Sequence, residues 1–124
     1  MSKHILIVDD QPNIIMPLKF LMEKIGYTVG ISLSGEDALE SISGYKPDLV
    51  LLDINLPGID GYQVCKTIRL SPEWNEIKVI FLSTNNNDGN VVKRMALGAV
   101  EFIEKPYSNQ QVIKSVKRWL GDSE

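Results

Sequence analysis

"LVLLDINLPGIDGY", Leu49 to Tyr62, decides how this chain is read. Its opening apolar run is too short for a helix and too continuous for a strand with one wet face, so it reads as a strand buried on both sides. The run ends abruptly on a carboxylate, Asp53, and turn signals follow at Pro57-Gly58 and Asp60-Gly61. A buried strand that delivers an acid at its end raises the question of what else gathers there.

Working outward, the same grammar repeats. "HILIV" is a first strand, and the acidic turn "DDQPN" leads into a helix beginning near Pro12. Ile14, Ile15, Leu18, Leu21, Met22 and Ile25 recur at helical spacing until Gly26 stops the helix; Pro17, near its first turns, is expected to bend it without ending it. "YTVGISL" is a weaker strand because of Gly30, and "SGEDALESIS" is a helix capped by Ser34 with Ala38, Leu39 and Ile42 facing inward. "DLVLLD", "KVIFLS" and "VEFIE" are strands; "DGYQVCKTIR", about 88–97, and "NQQVIKSVKRWL" are helices. Five strands alternating with five helices imply right-handed crossovers and a doubly wound parallel α/β sheet in three layers.

Composition agrees. The chain has 124 residues and is 44% hydrophobic, enough for one packed core, so residues 1–124 are expected to form one domain with its core over about 3–120. No apolar run approaches the roughly 18 residues of a membrane span and no secretory signal is visible, so a cytoplasmic location is expected. The lone Cys65 reads as helix packing, not as a disulfide or zinc ligand. Residues 1–62 hold four Lys and nine Asp/Glu, whereas residues 88–124 hold six Lys/Arg and five Asp/Glu. That mildly basic final third lacks the Lys/Arg blocks and basic aromatic pattern of a nucleic-acid interface. His4 begins the first strand, remote from the carboxylates; Trp74 and Trp119 read as a loop surface and a helix flank.

In a parallel doubly wound sheet, ligands bind at the carboxyl ends of the strands. Those ends here carry Asp9 and Asp10, then Asp53, then Ser83 and Thr84, and finally Lys105 before Pro106. Taken singly, each is an ordinary turn former, cap or surface residue. Together they supply oxygen ligands for Mg²⁺, a carboxylate nucleophile that can attack phosphorus, and a hydroxyl and an ammonium to stabilise charge on the phosphoryl oxygens. The set has the parts for phosphoryl transfer.

"ILIVDD", "DLVLLDINLPGIDGY", "VIFLS" and "GAVEFIEKPY" resemble, in this order, the motifs of response-regulator receiver domains of two-component signalling, the CheY-like family. The resemblance spans about Lys3 to Leu120 and implies a flavodoxin-like sheet of order 2-1-3-4-5. It implies that Asp53 accepts a phosphoryl group from a phosphohistidine on a sensor histidine kinase or histidine phosphotransfer protein, a self-catalysed reaction with slow autodephosphorylation and not enzymatic turnover. Mg²⁺, with Mn²⁺ as a substitute, would be held by the side chains of Asp10 and Asp53, the backbone carbonyl of Asn55, and Asp9 through water. Ser83 would hydrogen-bond the phosphoryl group and Lys105 would pair with it, placed by a cis Pro106. Phe102 would turn inward on phosphorylation and alter the face formed by the fourth helix, fifth strand and closing helix, so changing affinity for a downstream protein or output domain. The resemblance implies no direct contact with nucleic acid or membrane, and a monomer, with dimerisation on phosphorylation as the alternative.

Several residues depart from the family pattern. Thr84 stands where Ala is common and narrows access to the phosphoryl group; Leu56 replaces a frequent Met; Phe102 lacks the hydroxyl of the commoner Tyr. Asn55 and Asn85 flank the path of an attacking water. Two other classes share part of this pattern. An aspartate-based phosphohydrolase would carry an acid two residues after its nucleophile, where Asn55 stands, and a phosphate-independent interaction module would lack Asp53, Asp10 or Lys105. The short tail "GDSE" after Leu120 fits either a stand-alone receiver or one cut from a longer regulator.

Overall fold

The computed structural model describes residues 3–83 and 98–121, apart from the Ser83 side chain. The described elements run β1 (His4–Val8), α1 (Pro12–Lys24), β2 (Thr28–Ser32), α2 (Gly35–Gly44), β3 (Leu49–Asp53), α3 (Gly61–Leu70), a 3₁₀ turn (Pro72–Trp74), β4 (Lys78–Ser83), β5 (Glu101–Glu104) and α4 (Asn109–Leu120). The strands form one parallel sheet in the order β2-β1-β3-β4-β5, as expected. Four helices belong to the described residues; the further helix expected at about 88–97 lies outside them.

Strand period assigns the core to two faces. Leu6, Val8, Val50, Leu52, Val79 and Phe81 pack with Ala38 and Ile42 of α2 and with Val64, Cys65 and Ile68 of α3. Their neighbours Ile5, Ile7, Leu49, Leu51, Ile80, Leu82 and Ile103 pack with Ile15, Leu18 and Met22 of α1 and with Val112 and Val116 of α4. β3 is buried at all five positions, which is why its sequence shows no alternation.

The differences from the sequence expectation are local. The inward stripe of α1 is Ile15, Leu18 and Met22, while Ile14 and Ile25 are exposed, because one helix lying on a sheet buries only part of its circumference. α1 runs through Pro17, and β2 is shorter than expected at both ends, with Tyr27 buried before it and Leu33 exposed after it. The 3₁₀ turn was not foreseen; its Trp74, expected on a loop surface, packs partly against the α2/α3 core. Helix ends follow their caps: Ser34, Asp60 and Ser108 each accept a hydrogen bond from the N–H three residues on, and Asp60 and Gln63 form a reciprocal capping box.

Leu51 is fully buried at the centre of the middle strand. Leu51→Ala is expected to cost about 3 kcal/mol in urea denaturation, whereas Met16→Ala, on the exposed side of α1, should change stability by less than about 0.5 kcal/mol.

Candidate phosphoacceptor site

The acids are placed by strand parity. Asp9, Asp53 and Lys105 each stand two residues beyond a side chain of the α1/α4 core, namely Ile7, Leu51 and Ile103, so the pleat sends all three to the same side of the sheet edge. There Lys105 Nζ lies 3.1 Å from Asp9 Oδ2 and 3.5 Å from Asp53 Oδ2. The other oxygen of each acid is held locally: Asp9 Oδ1 accepts the Gln11 N–H at 2.9 Å, and Asp53 Oδ1 accepts the Asn55 N–H at 3.2 Å. Both carboxylates therefore make the same turn with the backbone two residues on and turn their second oxygen to one ammonium. Asp9 is fully buried, Asp53 nearly so, and Lys105 mostly buried.

Asp10 completes the group. It is exposed, yet one carboxylate oxygen from each of Asp9, Asp10 and Asp53 lies within 4.8 Å of the others. Three carboxylates facing a single ammonium leave negative charge uncompensated, and an all-oxygen donor set of this size suits a hard divalent cation such as Mg²⁺. Burial pushes the Asp53 carboxyl above the usual range; Lys105 pulls it down, Asp9 pushes it up, and the Asn55 N–H pulls it down, with a net upward shift.

A cavity of about 700 Å³ opens over these groups, and Asp10, Asp53, Asn55, Lys105 and Pro106 line it. The Lys105–Pro106 bond is cis, as the resemblance implied. Gln11, Ile14 and Tyr107 also line the cavity and were not singled out from sequence. Gln11 and Tyr107 flank the acidic and Lys-Pro motifs directly, which was the available signal; Ile14 was absorbed into the apolar stripe of α1. The Tyr107 hydroxyl is buried without a hydrogen-bond partner among the described residues, and burial together with the charges of Asp9 and Asp53 pushes its pKa up to about 12.

Other expected residues fall elsewhere. Phe102 is half-buried against the α2/α3 core, opposite Phe81 in the ladder. Thr84, Asn85 and the Ser83 side chain lie outside the described residues; the Ser83 backbone ends β4. His4 sits at the far end of the sheet, bonded to Thr28 and stacked on Tyr45 at 4.4 Å. Cys65 is buried packing, its thiol pushed up to about 11 by burial. Trp119 is tied to β5, where Glu101 accepts hydrogen bonds from Ser115, Arg118 and the Trp119 indole.

The family model described as the response regulator receiver domain matches residues 5–117. The chain belongs to this family. The receiver domain is a phosphoacceptor of two-component signalling whose Mg²⁺-dependent aspartyl phosphorylation site is the Asp9, Asp10 and Asp53 cluster, and its chemistry is self-catalysed, not the turnover of a released substrate. It is 36% identical over 124 residues to the alkaline phosphatase synthesis transcriptional regulatory protein PhoP of Bacillus subtilis, a match over 100% of this chain and 51% of that protein. The receiver domain thus spans about half the length of that curated relative. Among solved structures it is similar to the signal receiver domain of a signal transduction histidine kinase from Syntrophus aciditrophicus (32% identity, TM-score 0.89, 99% of this chain and 93% of that one). It is also similar to the receiver domain of the sensor histidine kinase PA1611 from Pseudomonas aeruginosa, solved with a magnesium ion coordinated in its active-site cleft (26% identity, TM-score 0.86, 98% and 99% covered). No helix among the described residues is long and apolar enough to cross a membrane.

Two stability effects follow from the electrostatics. A carboxyl whose folded pKa is raised contributes stability that is present below its unfolded pKa and lost as pH rises through the folded value, so ionised Asp53 weakens the metal-free fold at neutral pH. Asp53→Asn is therefore expected to raise the melting temperature in EDTA at pH 7, with the gain shrinking as pH falls into the carboxylate range; calorimetry across pH reads this directly. Lys105→Met leaves two buried acids without their counter-charge and should cost about 3 kcal/mol in EDTA, with a larger share restored by saturating Mg²⁺ than wild type gains.

Proposed function

We propose that Asp53 is the phosphoacceptor and that its donor is a phosphohistidine on a sensor histidine kinase or a histidine phosphotransfer protein. The observation that carries this reading is the Lys105 ammonium poised at 3.5 Å from the Asp53 carboxylate, beside Asp9 and beneath an open cavity. A carboxylate oxygen of Asp53 forms the new P–O bond, the donor's P–N bond breaks, and the electron pair of that bond returns to the imidazole. Asp10, Asp53 and the Asn55 carbonyl are the ligands suited to Mg²⁺, with Asp9 acting through water, and Mn²⁺ suits the same oxygen set. When bound, the cation supplies charge neutralisation at the phosphoryl oxygens. Lys105 offsets the remaining negative charge, and Ser83 donates a hydrogen bond to the transferred group. Asn55 and Asn85 flank the approach of water and tune the lifetime of the acyl phosphate, and Thr84 narrows access to the phosphoryl group.

The proposed switch follows from a charge added at one point. Phosphorylation draws the Ser83 hydroxyl toward the phosphoryl group, Phe102 fills the vacated space, and the face that includes β5 and α4 changes its affinity for a downstream protein or output domain. In keeping with the partial coverage, the similar proteins differ in setting: one is a transcriptional regulatory protein and two are receivers of histidine kinases. We read residues 1–124 as one receiver domain acting in the cytoplasm, monomeric before phosphorylation, dimerising if the β5/α4 face pairs with its copy, and touching neither DNA nor membrane itself.

Intact mass after incubation with phosphoramidate tests the assignment. The expected result is one added phosphoryl group only when Mg²⁺ is present, absent in Asp53→Asn. An adduct that survives in Asp53→Asn would sink the choice of acceptor.

A further inference from the structure

The acidic pocket has a part that neither its charges nor its motifs account for: the loop 54–60, which carries Asn55 and links β3 to α3, is clasped by the beginning of α2. Two glycines make the clasp, one from each side. A Cβ on Gly35, the first residue of α2, would lie 2.6 Å from Ile59 Cγ1, 2.8 Å from Val64 Cγ2 and 2.9 Å from the Ile59 carbonyl oxygen. A Cβ on Gly58, which sits at φ +72°, would lie 2.6 Å from Glu36 Oε2. The Glu36 carboxylate thus occupies the space over Gly58, and its Oε2 accepts the Ile59 N–H at 3.3 Å. At Gly35 the α2 backbone lies so close to the Ile59 carbonyl and to two side chains that a Cβ would force a shift, and at Gly58 a Cβ would displace the Glu36 carboxylate.

The clasped loop carries the Asn55 carbonyl. That carbonyl shares a peptide unit with the Leu56 N–H, which donates to the Ile54 carbonyl at 3.1 Å; in a trans peptide the two groups point in opposite directions, so the Asn55 carbonyl is directed away from Ile54. Gly61 N–H also donates to Ile54 O, at 2.9 Å, which closes the loop on itself. Between these two anchors Gly58 and Ile59 meet the start of α2, and Ile59 also packs against the α2/α3 core. We propose that Glu36 is a positioning residue for the metal site: by strapping Gly58 and Ile59 to the start of α2, it holds the loop in the shape that presents the Asn55 carbonyl beside Asp10 and Asp53. The inference rests on the reading of Asn55 as a backbone ligand. Glu36 touches neither metal nor phosphoryl group and acts only through the loop.

The test is a Mg²⁺ titration of the intact chain followed by amide chemical shifts, alongside melting temperatures in EDTA. Glu36→Ala should weaken Mg²⁺ binding about tenfold, the low end for an outer partner that orients a ligand, with little change in metal-free melting temperature. Glu36→Gln retains an acceptor oxygen and should bind Mg²⁺ like wild type. Gly58→Ala should displace the carboxylate and weaken Mg²⁺ binding in the same direction, and adding Glu36→Ala to it should cause less further loss than Glu36→Ala causes alone. Unchanged Mg²⁺ affinity in Glu36→Ala overturns the proposal, whether or not the melting temperature falls, because a carboxylate in the first turn of α2 that acts only on the helix dipole would behave that way. Equal losses in Glu36→Gln and Glu36→Ala overturn it too, by making charge and not the strap responsible. A wild-type chain that takes up no Mg²⁺ at all would overturn the reading of the site itself and this inference with it.

Discussion

A single ammonium shared by two buried carboxylates is the constraint on which the rest of this structure depends. Lys105 reaches Asp9 and Asp53 only if β1, β3 and β5 all end on the same side of the sheet with the same pleat phase. A one-residue slip of β5 would carry Lys105 to the α2/α3 face and leave two acids buried without a counter-charge. The alternation of β5 forbids that slip, since it would also turn Ile103 out of its core and drive Glu104 into it. The core therefore sets the register, and the register sets the electrostatics. Order in the opposite sense does not work: the ion pairs alone are too weak, and too costly to desolvate, to choose a register.

This explains how far the site was legible in sequence. Asp9, Asp53 and Lys105 are legible as one group from sequence because each directly follows a short apolar run, and a parallel sheet aligns the ends of such runs. Asp10 came with Asp9 by adjacency, although its exposure beside a fully buried neighbour reflects a turn that a string of letters does not reveal. Side chains that reach the site from a helix flank were not legible. Ile14 recurs at the spacing of α1's buried stripe, yet it points past the sheet edge into the cavity, and helical period cannot tell a core residue from one at the rim. The clasp at Gly35, Glu36, Gly58 and Ile59 was equally hidden. Two glycines and an exposed glutamate more than twenty residues apart have no periodic signature, and only the packing of α2 against α3 brings them into contact.

The same arrangement accounts for why charge is an effective signal here. Around the cavity three acids face one ammonium, so the site sits off balance, and burial holds the Asp53 carboxyl above the usual range despite the pull of Lys105. Both buried acids are attached to backbone: Asp9 to the Gln11 N–H and, through its own N–H, to the Ser32 carbonyl at the end of β2; Asp53 to the Asn55 N–H. A change of one or two charge units at Asp53 thus acts on the ends of several strands at once, not on a single side chain.

Where such a change can spread is limited by packing. The α1/α4 face is filled by fully buried aliphatic side chains that have nowhere to go. The opposite face at β5 is different, because Phe102 is only half-buried there and lies opposite the fully buried Phe81. The sheet thus combines a side that holds the acids in register with a side that can yield, and β5 belongs to both, carrying Ile103 inward to the first and Phe102 outward to the second. In the switch proposed above, that double membership would couple an event at a strand end to a change of surface.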